Sequence, residues 1–132
     1  MEEAELMSAA RRAAEKAYAP YSRFRVGAAL LLSDGTVVPG TNVENRSYGL
    51  TNCAERTAIF TAVAAGRRDF TALAVACPDA EYPVSPCGAC RQVLSEFTDP
   101  DFPIYFAGGR GGTVSTTTGE LFPHDALHEL AD

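Results

Sequence analysis

Cys53-Ala54-Glu55 and Pro86-Cys87-Gly88-Ala89-Cys90 decide how this chain reads. Together they offer three thiols and one carboxylate. The second stretch sets two cysteines three residues apart, a spacing common among zinc ligands. The first sets a cysteine two residues before a glutamate, where a helix is expected to begin. Three thiolates leave the fourth position of a tetrahedral zinc open, and an open position separates a catalytic zinc from a structural one. A water held there loses much of its pKa and becomes a nucleophile near neutral pH. In this reading Cys53, Cys87 and Cys90 hold one zinc per chain, and Glu55 is the proton carrier rather than a fourth ligand.

Both stretches sit at predicted helix starts. Residues 53 to 65 read as a helix ending at Gly66, and Cys87 opens another that runs to about Phe97. Free amide groups and the helix dipole at these starts favour thiolates. A third strand is expected over 70 to 77. Because a helix leads into it, the strand should lie parallel to its neighbour. Residues 78 to 86 form a polar loop.

Upstream, residues 3 to 17 carry Leu6, Ala9, Ala10, Ala13, Ala14 and Ala17 at helical spacing, with Pro20 as the stop. The aromatics from Tyr18 to Phe24 surround Pro20, and Tyr18 and Tyr21 read as an apolar plug over the joint. A first strand over 26 to 33 is apolar nearly throughout, so both of its faces should be buried. Ser33-Asp34-Gly35-Thr36 signals a hairpin, with Asp-Gly supplying positive φ angles. The second strand runs to about 44, and Pro39 and Gly40 mark it as an edge strand or a bulge. Asn42 and Glu44 are two apart and share a face. On spacing alone they are either a strand-ending turn or a pair that binds hydroxyls. Downstream, strands over 103 to 107 and 113 to 117 flank the glycine-rich turn Gly108 to Gly112, which lacks the signature of a phosphate loop.

The chain has 132 residues and 46% hydrophobic residues, consistent with one domain over 1–132. No apolar run reaches the length of a membrane span. Met1-Glu2-Glu3 is not the basic start of a signal peptide, so a cytoplasmic protein is expected. The net charge of −6 disfavours nucleic acid and favours a small uncharged substrate. Arg23, Arg25, Arg67 and Arg68 are the candidates for a local basic patch. Disulfides are not expected in such a chain, and Cys77 reads as a buried core residue.

Five motifs in order carry a family resemblance: Tyr21-Ser22-Arg23-Phe24, Val26 to Leu30, Asn42-Val43-Glu44-Asn45, Cys53 to Ala58, and Ser85 to Val93. Together they resemble the small, homotetrameric, zinc-dependent cytidine deaminases, and the likeness covers most of the chain. It implies a three-layer α/β fold, a mixed five-stranded sheet with helices on both faces. It implies hydrolytic deamination of cytidine and 2′-deoxycytidine, a step of pyrimidine salvage, with active sites at subunit interfaces. Carried over residue by residue, Phe24 stacks on the pyrimidine, Asn42 and Glu44 bind the ribose, and Ala54 joins the substrate contacts. The loop 45 to 52 closes over the sugar, and Arg56 hydrogen-bonds to the ligand sulfurs. From its position alone Arg56 could equally be a surface ion pair.

The resemblance weakens at the C-terminus. Leu121-Phe122-Pro123 is followed by His124-Asp125-Ala126-Leu127, without the aromatic that usually reaches a substrate site. His124 and His128 read as exposed tail histidines. Three other readings stay open: a blasticidin-type or deoxycytidylate deaminase, a structural zinc module completed by His124, and a redox protein using Cys87 and Cys90.

Overall fold

The computed structural model describes residues 1–127 and Leu130. Strands β1 (Gly27–Leu32), β2 (Val37–Thr41), β3 (Phe70–Cys77), β4 (Pro103–Gly108) and β5 (Thr113–Thr117) make one sheet in the order β2-β1-β3-β4-β5. Helices α1 (Glu3–Ala14), α2 (Ala54–Ala64) and α3 (Gly88–Phe97) pack against it, and the single turn α4 (Thr118–Leu121) follows β5.

Alternation along the strands sets the layers. Leu30 of β1, Leu73 and Val75 of β3, and Ile104 and Phe106 of β4 face one way, packed with Ala58 and Ile59 of α2 and Leu94 of α3. Their neighbours Ala29, Ala72, Ala74, Ala76 and Ala107 face the other way, onto Leu6, Met7 and Ala10 of α1. Small residues on that second face let α1 lie close to the strands. The result is the expected three-layer α/β arrangement, with β1 buried on both sides.

Strand β3 corrects one expectation. It pairs antiparallel with β1 and parallel with β4. The β1–β2 hairpin explains this, because β1 lies between β2 and β3 and runs against both. The helical crossover through α2 therefore joins strands that are parallel but not adjacent. The crossover through α3 joins adjacent ones.

The hairpin turn also differs in type. Within this turn only Gly35 has positive φ, +89°. Leu32 N–H donates to Thr36 O at 2.8 Å, so the loop holds three residues, with glycine in the left-handed position. Asp34 Oδ1 instead accepts from Thr36 N–H at 3.0 Å. Helix α1 stops at Ala14 rather than 17. The next residues leave the helix because Tyr18 N–H is needed by Asn42 O and Tyr18 O by Glu44 N–H.

One close approach and one helix cap seat α2. Pro39 and Gly40 lie in β2 at the sheet edge, as Pro39 suggested. A Cβ at Gly40 would lie 2.3 Å from Ala54 O and 2.7 Å from Ala58 N, so only glycine lets the first turn of α2 rest on β2. At its other end α2 closes on Gly66, whose N–H donates to Val63 O, while Arg67 N–H donates to Ala62 O. Those two bonds form a Schellman motif.

Candidate active site

Helix starts deliver the thiols. Cys53 is the N-cap of α2 and Cys87 the N-cap of α3, and neither side chain bonds to the amides of its own helix. Their sulfurs are thus left for each other. Cys90 enters from the first turn of α3. The three Sγ atoms lie within 4.8 Å of one another, and Cys53 and Cys87 are 3.6 Å apart. All four cysteines of the chain are free. Zn–S bonds of about 2.3 Å in a tetrahedron place sulfurs about 3.8 Å apart, so this donor set fits one zinc. Among the described residues no histidine, aspartate or glutamate joins the cluster. His124 lines a separate groove with Ser95 and Pro123, and His128 lies outside the described residues. A four-ligand structural site completed by His124 is therefore not formed.

Charge at the cluster is balanced locally. Arg56 donates from Nη2 to Cys53 Sγ at 3.2 Å, which answers the choice between surface ion pair and sulfur partner. The Cys53 thiol is drawn down to about 5, first by a hydrogen bond with Cys90 and then by Arg56. Cys90 is pushed up, chiefly by that same bond with Cys53. Arg56 Nε is buried with no partner among the described residues.

Glu55 is 4% exposed. Burial raises its carboxyl to about 7, and the charge of Cys53 adds to the rise. Near neutral pH such a carboxyl both accepts and gives a proton.

A cavity of about 420 Å³ opens beside these groups. Phe24, Asn42, Glu44, Ala54 and Glu55 all line it, as do Cys53 and Cys87. Arg56 and Cys90 do not line it. Cys77 is buried as expected and also faces the cavity, because it continues the Leu73, Val75 face of β3. Burial raises its thiol to about 12.

The two sugar-side candidates are already engaged with the chain. Asn42, 7% exposed, accepts from Val26 N–H at 2.9 Å and donates to Phe24 O at 2.8 Å. Glu44 Oε1 accepts from the amides of Tyr21 and Ser22 at 3.0 and 3.1 Å. Its Oε2 accepts from the Ser22 hydroxyl. That hydroxyl holds the Glu44 carboxyl below its ordinary range. Both side chains thus brace the segment that carries Phe24.

Sequence reasoning missed several supports. Arg91 donates to Pro86 O at 2.8 Å, Leu121 O at 2.7 Å and Ser85 Oγ at 2.9 Å, clamping the second cysteine stretch. Its place directly after Cys90 is the signal that points to it. Thr57 holds the Cys53 carbonyl at 3.1 Å and accepts from Asn52 at 3.2 Å. Arg25, a basic-patch candidate, is committed to Asp79, and Arg67 to Asp34 and Asp69. Tyr18 and Tyr21 form no plug, being 55% and 45% exposed. No described helix is long and apolar enough to cross a membrane.

The family model for the cytidine and deoxycytidylate deaminase zinc-binding region matches residues 1–106. The chain belongs to this family. It is 52% identical over 123 residues to a cytidine deaminase of Sporosarcina psychrophila, covering 93% of this chain and 90% of that protein. A cytidine deaminase of Halalkalibacterium halodurans is 54% identical over 118 residues, 89% of each chain. Among solved structures, cytidine deaminase from Burkholderia pseudomallei superposes with a TM-score of 0.88 at 51% identity, covering 93% of this chain and 98% of that one.

Proposed function

We infer that this chain hydrolyses the 4-amino group of cytidine, and of 2′-deoxycytidine, to give uridine or 2′-deoxyuridine and ammonia. The observation that carries this reading is the buried carboxyl of Glu55 beside three clustered thiols, in a cavity of nucleoside size. Cys53, Cys87 and Cys90 would hold one zinc, which supplies a Lewis acid and lowers the pKa of a water to near neutrality. Glu55 takes a proton from the attacking water and delivers protons to ring N3 and the departing amine. Its carboxyl near 7 suits both directions. Arg56 favours the thiolate of Cys53. Phe24 offers a face to the pyrimidine beside Ala54, and Asn42 and Glu44 offer polar atoms to the sugar. A carboxylate on that side repels a 5′-phosphate and favours the free nucleoside.

This reading makes residues 1–132 one catalytic domain, acting in the cytoplasm in keeping with its free thiols. It also makes the protein a homotetramer. Tyr48 and Leu50 are 76% and 71% exposed on the loop after Glu44, near exposed Tyr18, Tyr21 and Val43, and neighbouring copies would cover this apolar rim and complete the site.

Zinc per chain by elemental analysis, and the ultraviolet change on adding cytidine, test the reading together. About one zinc with conversion to uridine supports it. Zinc without conversion would direct attention to cytidine 5′-phosphate and blasticidin-type substrates. A chain purified without zinc would remove the metal reading and favour thiol redox chemistry at Cys87 and Cys90.

A further inference from the structure

We propose that Ser22 is a positioning residue for the nucleoside, its hydroxyl tying the sugar-side carboxylate Glu44 to the base-side ring of Phe24. The proposal rests on the reading of the cavity as a nucleoside site and deepens it.

Ser22 lines the cavity together with the two residues it joins. Its Oγ donates to Glu44 Oε2 and accepts from Phe24 N–H at 3.0 Å. The first bond spans 22 positions of sequence and fixes the carboxylate. The second fixes the backbone from which the Phe24 ring projects. One hydroxyl, using its donor and an acceptor lone pair at once, therefore couples both halves of the pocket.

The intervening residue makes this coupling necessary. Arg23 has φ +58°, and it is the non-glycine residue in the left-handed region among those described. That conformation is unfavourable for a bulky L-residue. Arg23 N–H donates to Ala19 O at 3.0 Å, which anchors the turn on its N-terminal side. Ser22 and Glu44 close it from the other. Without the hydroxyl the turn loses its brace at the point of strain. Glu44 then keeps only the amides of Tyr21 and Ser22, and Phe24 keeps its carbonyl bond to Asn42 but loses the amide hydrogen bond that ties it to Glu44. The thiol cluster is held separately, by the helix starts and Arg56. Ser22 should therefore govern substrate affinity rather than metal binding.

Steady-state kinetics with cytidine on the zinc-loaded full chain test this, using S22A, S22T, E44A and the double variant S22A/E44A, with zinc content measured for each. For S22A, KM should rise about fivefold to tenfold, the scale of one ordinary hydrogen bond at an exposed position, with kcat falling by less and zinc content unchanged. S22T keeps the hydroxyl, and the exposed position accommodates a methyl group, so KM should return to within about twofold of wild type. In the E44A background S22A should add less than about twofold, because the acceptor is gone. An unchanged KM in S22A, a full additional effect on E44A, or a loss of zinc that matches the loss of activity would each overturn the proposal. A zinc-loaded wild-type chain that leaves cytidine unconverted would overturn the nucleoside reading itself, and this proposal with it.

Discussion

At the thiol side of the cavity, Cys53 and Cys87 start α2 and α3, and Glu55 is buried in the first turn of α2. At the loop side, Ser22, Phe24 and Glu44 stand on irregular segments, with Ser22 exposed and Phe24 half-buried. The chemical groups ride on elements fixed by the core. The groups proposed to recognise the nucleoside are held by hydrogen bonds to one another. Helix position cannot shift without disturbing packing, as the Gly40–Ala54 contact shows. Loop position depends on a handful of polar contacts that one substitution can remove. Changes on the thiol side should therefore appear in turnover and zinc, and changes on the loop side in KM and local stability.

The largest effect is expected from E55Q. Glutamine keeps the size and one acceptor but cannot carry the proton. Turnover should fall by at least about 10³-fold, at the upper end of what general acid–base catalysis contributes, while zinc content stays near wild type. Rapid kinetics and elemental analysis of the same sample check it. Substantial remaining turnover would move the proton carrier elsewhere and break the contrast between the two sides.

R56Q tests the same side less severely. The Arg56 guanidinium touches Cys53 Sγ at 3.2 Å and its own pKa is raised chiefly by that bond. Removing the cation should weaken zinc binding by about 10–100-fold, the scale of losses when a metal ligand's partner is removed. Competition with a chromogenic chelator measures this. Unchanged zinc affinity would mean that the helix starts alone stabilise the thiolates.

The two sides also differ in how far the amino-acid sequence alone makes them legible. Thiol spacing and the predicted helix starts locate Cys53, Glu55, Cys87 and Cys90, since spacing and helix geometry are local properties. Strand alternation likewise places Cys77 on the face of Leu73 and Val75, although only the packing shows that this face opens into the cavity. The loop side resists such reading. Nothing local in Ser22 points to Glu44, and nothing in Asp34-Gly35 distinguishes a two-residue from a three-residue turn until the register of Leu32 and Thr36 is known. The pairing of β3 with β1 escapes local reading for the same reason. Strand order is a tertiary property, and a hairpin intervenes between the strands that the crossover rule would make neighbours.

The smallest effect belongs to the far end of the Phe24 segment. Arg25 donates from its amide and Nε to Asp79 Oδ2 at 2.9 and 3.0 Å, and from Nη2 to Oδ1 at 2.7 Å. The pair is partly exposed, 46% and 28% for the two side chains, so solvent screens it. D79N should lower the melting temperature at pH 7 by only about 1–3 °C. The hydrogen bonds from Arg25 hold the Asp79 carboxyl down at about 2, below the unfolded value of about 3.9. A depressed pKa gives stability that is complete above the unfolded value and lost as pH falls through the folded one. The gap between wild type and D79N should therefore be constant from pH 7 to about 5 and shrink from about 4 towards 2. Thermal melts across that range, with zinc content followed at pH 7, decide the matter. A gap that widens in acid would contradict the assigned ion pair. A loss of zinc in D79N at pH 7 would show that the loop side supports the thiols, and that the cavity is one mechanical unit rather than two.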